Sequence, residues 1–171
     1  MTDLEWAINE DGKIDMALFA LDKETKRRVL NVISNYYGDE EDDEEITDED
    51  FYAASTQRYG SVSTSPTNNV TKITETRAIE IQEKRKRIDE ASFRNEAIKA
   101  GIRRAAGMSC YTADQEQLYD DMFQHLVNNK ARDEFTRSTG TITRYRKMAL
   151  FFIAEELGLV KRGIGHSQDD K

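Results

Sequence analysis

A mainly α-helical fold is predicted by three features of the chain. With one proline and nine glycines in 171 residues, the commonest helix breakers are scarce and a turn-rich β-sandwich is disfavoured. Four stretches carry apolar residues three and four apart, the spacing that gathers side chains on one helix face. Residues suited to helix ends, among them Asp22, Gly38, Gly107, Thr112 and Gly158, flank those stretches. Only 37% of the residues are hydrophobic and 34% are charged, against about 45–50% and 25% in ordinary domains. Part of the chain therefore builds a core and part is solvated. The organisation expected is a small helical N-terminal unit at residues 1–38, an acidic and Ser/Thr-rich flexible linker at 39–70, and a helical domain with a polar tail at 71–171.

The first element is an apolar cluster, Leu4, Trp6, Ala7 and Ile8, followed by a turn at NEDGK and renewed apolar character at residues 14–21. A helix then follows over 23–37, with Asp22 as N-cap, Val29, Leu30, Ile33 and Tyr37 on one face, and Gly38 just past its end. Asn9, Asp11 and Gly12 sit at steps that a calcium-binding EF-hand loop would use. The first and twelfth positions are Ala7 and Leu18, so the essential oxygen ligands are missing.

Residues 39–70 begin with DEEDDEEITDED and continue with SVSTSPTNN at 61–69. Low hydrophobicity and high charge cannot offset the entropy of ordering such a segment. Phe51 and Tyr52, directly after the acidic run, have the form of a short protein-binding segment. Residues 71–106 are rich in strong helix formers and predict one long helix closing at Gly107, with a bend near Ser92. Its apolar positions, Ile81, Ile88, Ala91, Ile98, Ile102 and Ala105, form a thin stripe. Such a stripe suits one partner surface, including a second copy of the chain, and Ile81, Ile88, Ile98 and Ile102 are the candidate protein contacts.

Thr112 opens the next helix, with Gln115 placed to close a capping box. Leu118, Met122 and Leu126 beside Tyr119, Phe123 and Val127 give it a wide core face, and Asn128 and Asn129 end it. A polar connection follows with Phe135 as its anchor. The last helix runs from Thr141 to Leu157 with Ile142, Tyr145, Met148, Ala149, Phe152, Ile153 and Leu157 buried, Gly158 closing it and Leu159 and Val160 packing back.

Charge is divided along the chain. Residues 1–50 hold seventeen Asp and Glu against five Lys and Arg, whereas residues 72–104 hold ten bases against six acids. Lys84, Arg85, Lys86 and Arg87, then Arg103 and Arg104, lie partly off the apolar stripe. Arg144, Arg146, Lys147, Lys161 and Arg162 form a second basic group. Bases grouped in this way are candidate phosphate contacts.

Several function classes find no support. A single cysteine, Cys110, excludes an internal disulfide and fits a packing role, which places the chain in the cytoplasm or nucleus. The longest apolar run, residues 148–154, is too short to span a membrane, and residues 1–5 lack a signal-peptide pattern. His125 and His166 are far apart, glycine-rich phosphate loops are missing, and the acid pairs Asp120-Asp121 and Glu155-Glu156 diverge around a helix. No enzyme activity, metal or cofactor is expected.

Residues 115–167, with QLYDDMFQHLVNN, a polar connection and RYRKMALFFIAEELGLVKRG, resemble the R-three-H family of single-stranded nucleic-acid-binding domains. In that family the last helix carries an arginine and a histidine with three residues between them. Lys147 and Phe151 occupy the corresponding places here, and the family's closing strand would fall in the Gly-rich tail. The resemblance implies phosphate contacts from Arg144, Arg146, Lys147, Lys161 and Arg162. Two functions are thus expected in order: a non-enzymatic helical adaptor or assembly protein, of a composition met in viral and phage proteins, that binds a protein or itself; and a nucleic-acid-associated accessory protein that binds single-stranded RNA or DNA. The net charge of −8 favours the first.

Overall fold

A computed structural model of the chain describes residues 7–9, 13–37, 68–109 and 112–161, without side chains at 68–77 and 112. The fold is mainly helical. Four α-helices are described: α1 (Lys23–Ser34), α2 (Asn68–Gly107), α3 (Thr112–Leu126) and α4 (Thr139–Glu156), with a 3-10 turn at Arg132–Glu134 before α4. The only bridge among the described residues joins Ile8 to Ile14, antiparallel.

Local chemistry sets the helix ends. Asp22 accepts hydrogen bonds from the amides of Glu24 and Thr25, both at 2.9 Å, which satisfies two of the free donors at the start of α1. The helix stops at Asn35, three residues before Gly38. Asn129 (φ 55°) takes the left-handed conformation that ends the turn after α3, as its short polar side chain allows. Ser138 caps α4 by accepting from the Thr141 amide, so α4 begins at Thr139, two residues before the expected start. At its other end Gly158 (φ 70°) makes a Schellman closure: its amide donates to the Glu155 carbonyl at 2.9 Å, and the Leu159 amide to Ala154 at 2.8 Å. The Gln115 side-chain amide donates to the Ser109 carbonyl at 3.1 Å, near the end of α2.

The chain divides into two compact units, one of residues 1–36 and 94–171 and the other of residues 37–93. Residues 1–36, within the 1–38 segment expected to stand apart from 71–171, group with the C-terminal helices, and the division falls inside α2 rather than at its start. The physical reason lies in α4. It buries Ile142 and every residue from Met148 to Ala154, so it is apolar all round where the spacing implied one buried side. A helix of that kind has to be covered on several sides. Phe19, fully buried, meets Phe151 and Phe152 edge-on at 5.4 and 5.6 Å, which fastens the N-terminal segment to α4. Tyr36 meets Phe123 of α3 edge-on at 5.5 Å.

On another side, the last three turns of α2 cross α4 at Gly101. A Cβ built there would lie 2.5 to 2.8 Å from Ile153, including its backbone nitrogen. Only glycine lets the two backbones approach so closely. Ile98 and Ile102 are fully buried beside this crossing. They belong to the chain's own core and cannot serve as the external protein contacts expected of them.

In the second unit, the described part of α2 runs without interruption through Ser92. Ile81 and Ile88 are half-buried, whereas Ile79 and Phe93 are 56% and 58% exposed. Lys86 pairs with Glu90 and Arg87 with Glu83, each at 3.9 Å and one turn apart. Such exposed pairs contribute about 0.3–0.5 kcal/mol each. The linker at 39–70 lies almost wholly outside the described residues.

Candidate functional site

The bases of the first unit fall into two electrostatic classes. Arg104 forms ion pairs with Glu155 at 2.9 Å and Glu156 at 2.5 Å and lies 4.4 Å from the Phe152 ring. Arg137 is gripped by Asp121 at 2.9 Å and Asp114 at 3.4 Å. Burial works to lower the Arg137 pKa, but hydrogen bonds and charges from Asp114 and Asp121 override it and hold the pKa above the ordinary value. These two cations are structural clamps. Arg103 is exposed and lies over the Tyr119 ring at 5.6 Å.

Arg146 differs from these. It is partly buried, no carboxylate among the described residues lies within ion-pair distance, and its pKa is pushed down by burial and then by the charge of Arg132. Together with Lys26 of α1 and Lys147 of α4 it lines a cavity of about 250 Å³ whose apolar surface includes Phe19, Leu21 and Leu150. Among the described residues no carboxylate lines this cavity.

The neighbours are arranged by specific bonds. The Thr143 hydroxyl, also on the lining, donates to the Thr139 carbonyl at 2.8 Å and accepts from Arg132 at 3.1 Å, so it holds Arg132 close by. The Lys147 ammonium donates to the Met16 carbonyl at 2.6 Å, which leaves it two further N–H donors and ties the N-terminal segment to α4. The carboxylate nearest in sequence, Asp22, is engaged with the α1 amides. Three cations on one lining, with no carboxylate beside them among the described residues, have the chemistry to accept an anion, and the arginine fork matches an oxygen pair of a phosphate or carboxylate.

A larger groove of about 460 Å³ runs between the end of α2 and the start of α3, lined by Arg103, Tyr119, Glu116 and Asp120 among others. Its two carboxylates make it a poor anion receptor. The His125 Nδ1 lies 2.7 Å from the Lys130 carbonyl, which assigns the ring proton to Nδ1, and Nε2 is buried with no partner among the described residues. Among the described residues no group of three or more His, Cys, Asp and Glu could hold a metal, and no helix is long and apolar enough to cross a membrane.

Of the bases singled out from sequence, the fold brings Arg146 and Lys147 together in the pocket, with Arg144 exposed on the same helix. Arg104 is committed to internal ion pairs, which corrects its expected phosphate role. Lys84, Arg85, Lys86 and Arg87 belong to the other unit. Lys161 is exposed at the end of the described chain. Phe51, Tyr52 and Arg162 lie outside the described residues. Lys26 and Arg132 were not singled out. Lys26 reads in sequence as one base of the solvated KETKRR face, and no local pattern links it to α4.

Comparison with protein-family models, with curated proteins and with solved structures found no match for the chain.

Proposed function

We propose that this chain is a non-enzymatic nucleic-acid-associated protein that binds single-stranded RNA or DNA through the pocket of Lys26, Arg146 and Lys147. The observation that carries the reading is the partly buried Arg146 guanidinium, which has no carboxylate within ion-pair distance among the described residues, in a unit where Arg104 and Arg137 each have two. A cation held in that state gains most from a bound phosphate. Ten of the acids behind the net charge of −8 fall within residues 39–50, so that charge belongs mostly to one tract of the sequence rather than to the segments that form the pocket. The resemblance of residues 115–167 to the R-three-H family points the same way.

The test is fluorescence anisotropy of a labelled single-stranded oligonucleotide with the full chain. Arg146→Glu should weaken binding by about tenfold or more and flatten the salt dependence by about one unit of slope per lost contact. An unchanged affinity, with the fold intact by circular dichroism, would sink the proposal.

A second reading, self-association as an adaptor, is favoured by the exposed Ile79 and Phe93 of α2. Association through apolar side chains should persist between about 0.1 M and about 1 M salt, where phosphate contacts are screened away. A monomeric mass by sedimentation at both salts removes that reading.

A further inference from the structure

Resting on the nucleic-acid reading, we propose that the Lys26, Arg146 and Lys147 pocket is a receptor for a terminal phosphate monoester, so that the protein engages the end of a strand rather than its interior. The first reason is size. A cavity of about 250 Å³ falls below the range of about 300–1,000 Å³ that encloses whole small-molecule ligands. It suits a phosphoryl group with part of the adjoining sugar. The apolar surface of Phe19, Leu21 and Leu150 gives the sugar carbons a place to rest.

The second reason is charge. An internal phosphodiester carries one negative charge, whereas a terminal monoester carries about 1.5 to 2 at neutral pH and offers three acceptor oxygens. Lys26, Arg146 and Lys147 supply three positive charges from two helices, Arg132 is held nearby by the Thr143 hydroxyl, and no carboxylate among the described residues lines the cavity. That surplus is matched by a dianion and only partly by a diester. Three acceptor oxygens also meet the available donors: the arginine fork takes two, and the Lys147 ammonium, with one N–H spent on Met16, reaches the third.

The experiment compares oligonucleotides of one sequence carrying a 5′-phosphate, a 3′-phosphate or hydroxyls at both ends, each bound to the full chain and read by anisotropy. At least one phosphorylated end should bind about tenfold more tightly than the hydroxyl form, and the arm that does so identifies the end. The preference should fade below about pH 6, where the monoester dianion takes up a proton and keeps a single negative charge. Arg146→Lys keeps the charge but loses the fork, so it should abolish most of the preference while retaining part of the affinity. Free nucleoside monophosphate should compete for the phosphorylated strand. Equal affinity for all three strands overturns end recognition, and if Arg146→Glu still weakens all three, the nucleic-acid reading survives that failure. If Arg146→Glu weakens none, both fall.

Discussion

Arg137 and Arg146 sit nine residues apart in sequence, both withdrawn from water, in opposite electrostatic settings. Arg137 lies between two carboxylates, has 18% of its side chain exposed, and joins the connection before α4 to α3. Arg146 faces Lys26, Lys147 and Arg132. In the first place the partial loss of hydration is offset by fixed carboxylate oxygens, and in the second it is not. A folded unit tolerates an uncompensated cation at some cost to stability, and the cost is recovered when an anion arrives from outside. The difference separates an arginine that stabilises the unit from one on which the proposed binding role rests.

The sharpest way to break this comparison is to remove both charges in turn. Arg137→Met leaves Asp121, itself only 17% exposed, without its cation, and should lower unfolding stability by about 2–4 kcal/mol. Arg146→Met removes like-charge repulsion and strands no partner, so it should leave stability unchanged or raise it by up to about 1 kcal/mol. Urea denaturation of the two variants beside the parent chain measures both. A loss at Arg146→Met as large as that at Arg137→Met would mean that Arg146 is a structural clamp after all.

Much of the fold was legible because it is specified locally. The Asp22 cap, the Gly158 closure and the four helices follow from residues within a turn or two of one another. What was missed depends on which distant segments meet. The MALFFIA run at residues 148–154 was visible as the longest apolar stretch, but full burial requires knowing that Phe19 and the end of α2 cover it. Ile98 and Ile102 were read correctly as apolar and placed against the wrong surface, since Gly101 between them marks a close crossing of helices within the chain. The site was half legible for the same reason. Arg104, Arg137 and Arg146 look alike in sequence, and their status is decided by the distant Glu155 and Glu156 for Arg104 and by carboxylates 16 and 23 residues away for Arg137. Lys147 reaches a carbonyl 131 residues away.

The smallest expected effect sharpens the comparison at the edge of the pocket, where Asp22 caps α1 one turn before Lys26. Its carboxylate is held below the usual range, first by its hydrogen bond with the Thr25 side chain and then by the amides of Thr25 and Glu24. A carboxylate with a depressed folded pKa stabilises the fold above its unfolded value of about 3.9 and loses that contribution as pH falls through the folded value. Asp22→Asn keeps a good capping side chain without the charge. The melting temperature of the parent chain should therefore exceed that of Asp22→Asn by a constant margin near neutral pH, and the margin should shrink below about pH 4. Oligonucleotide affinity should be unchanged or slightly stronger in Asp22→Asn, because this carboxylate is turned toward the amides of α1 and away from the role that Asp114 and Asp121 play for Arg137. A marked loss of affinity in Asp22→Asn would show that the cap positions Lys26, and the pocket would then depend on the start of α1 as well as on α4.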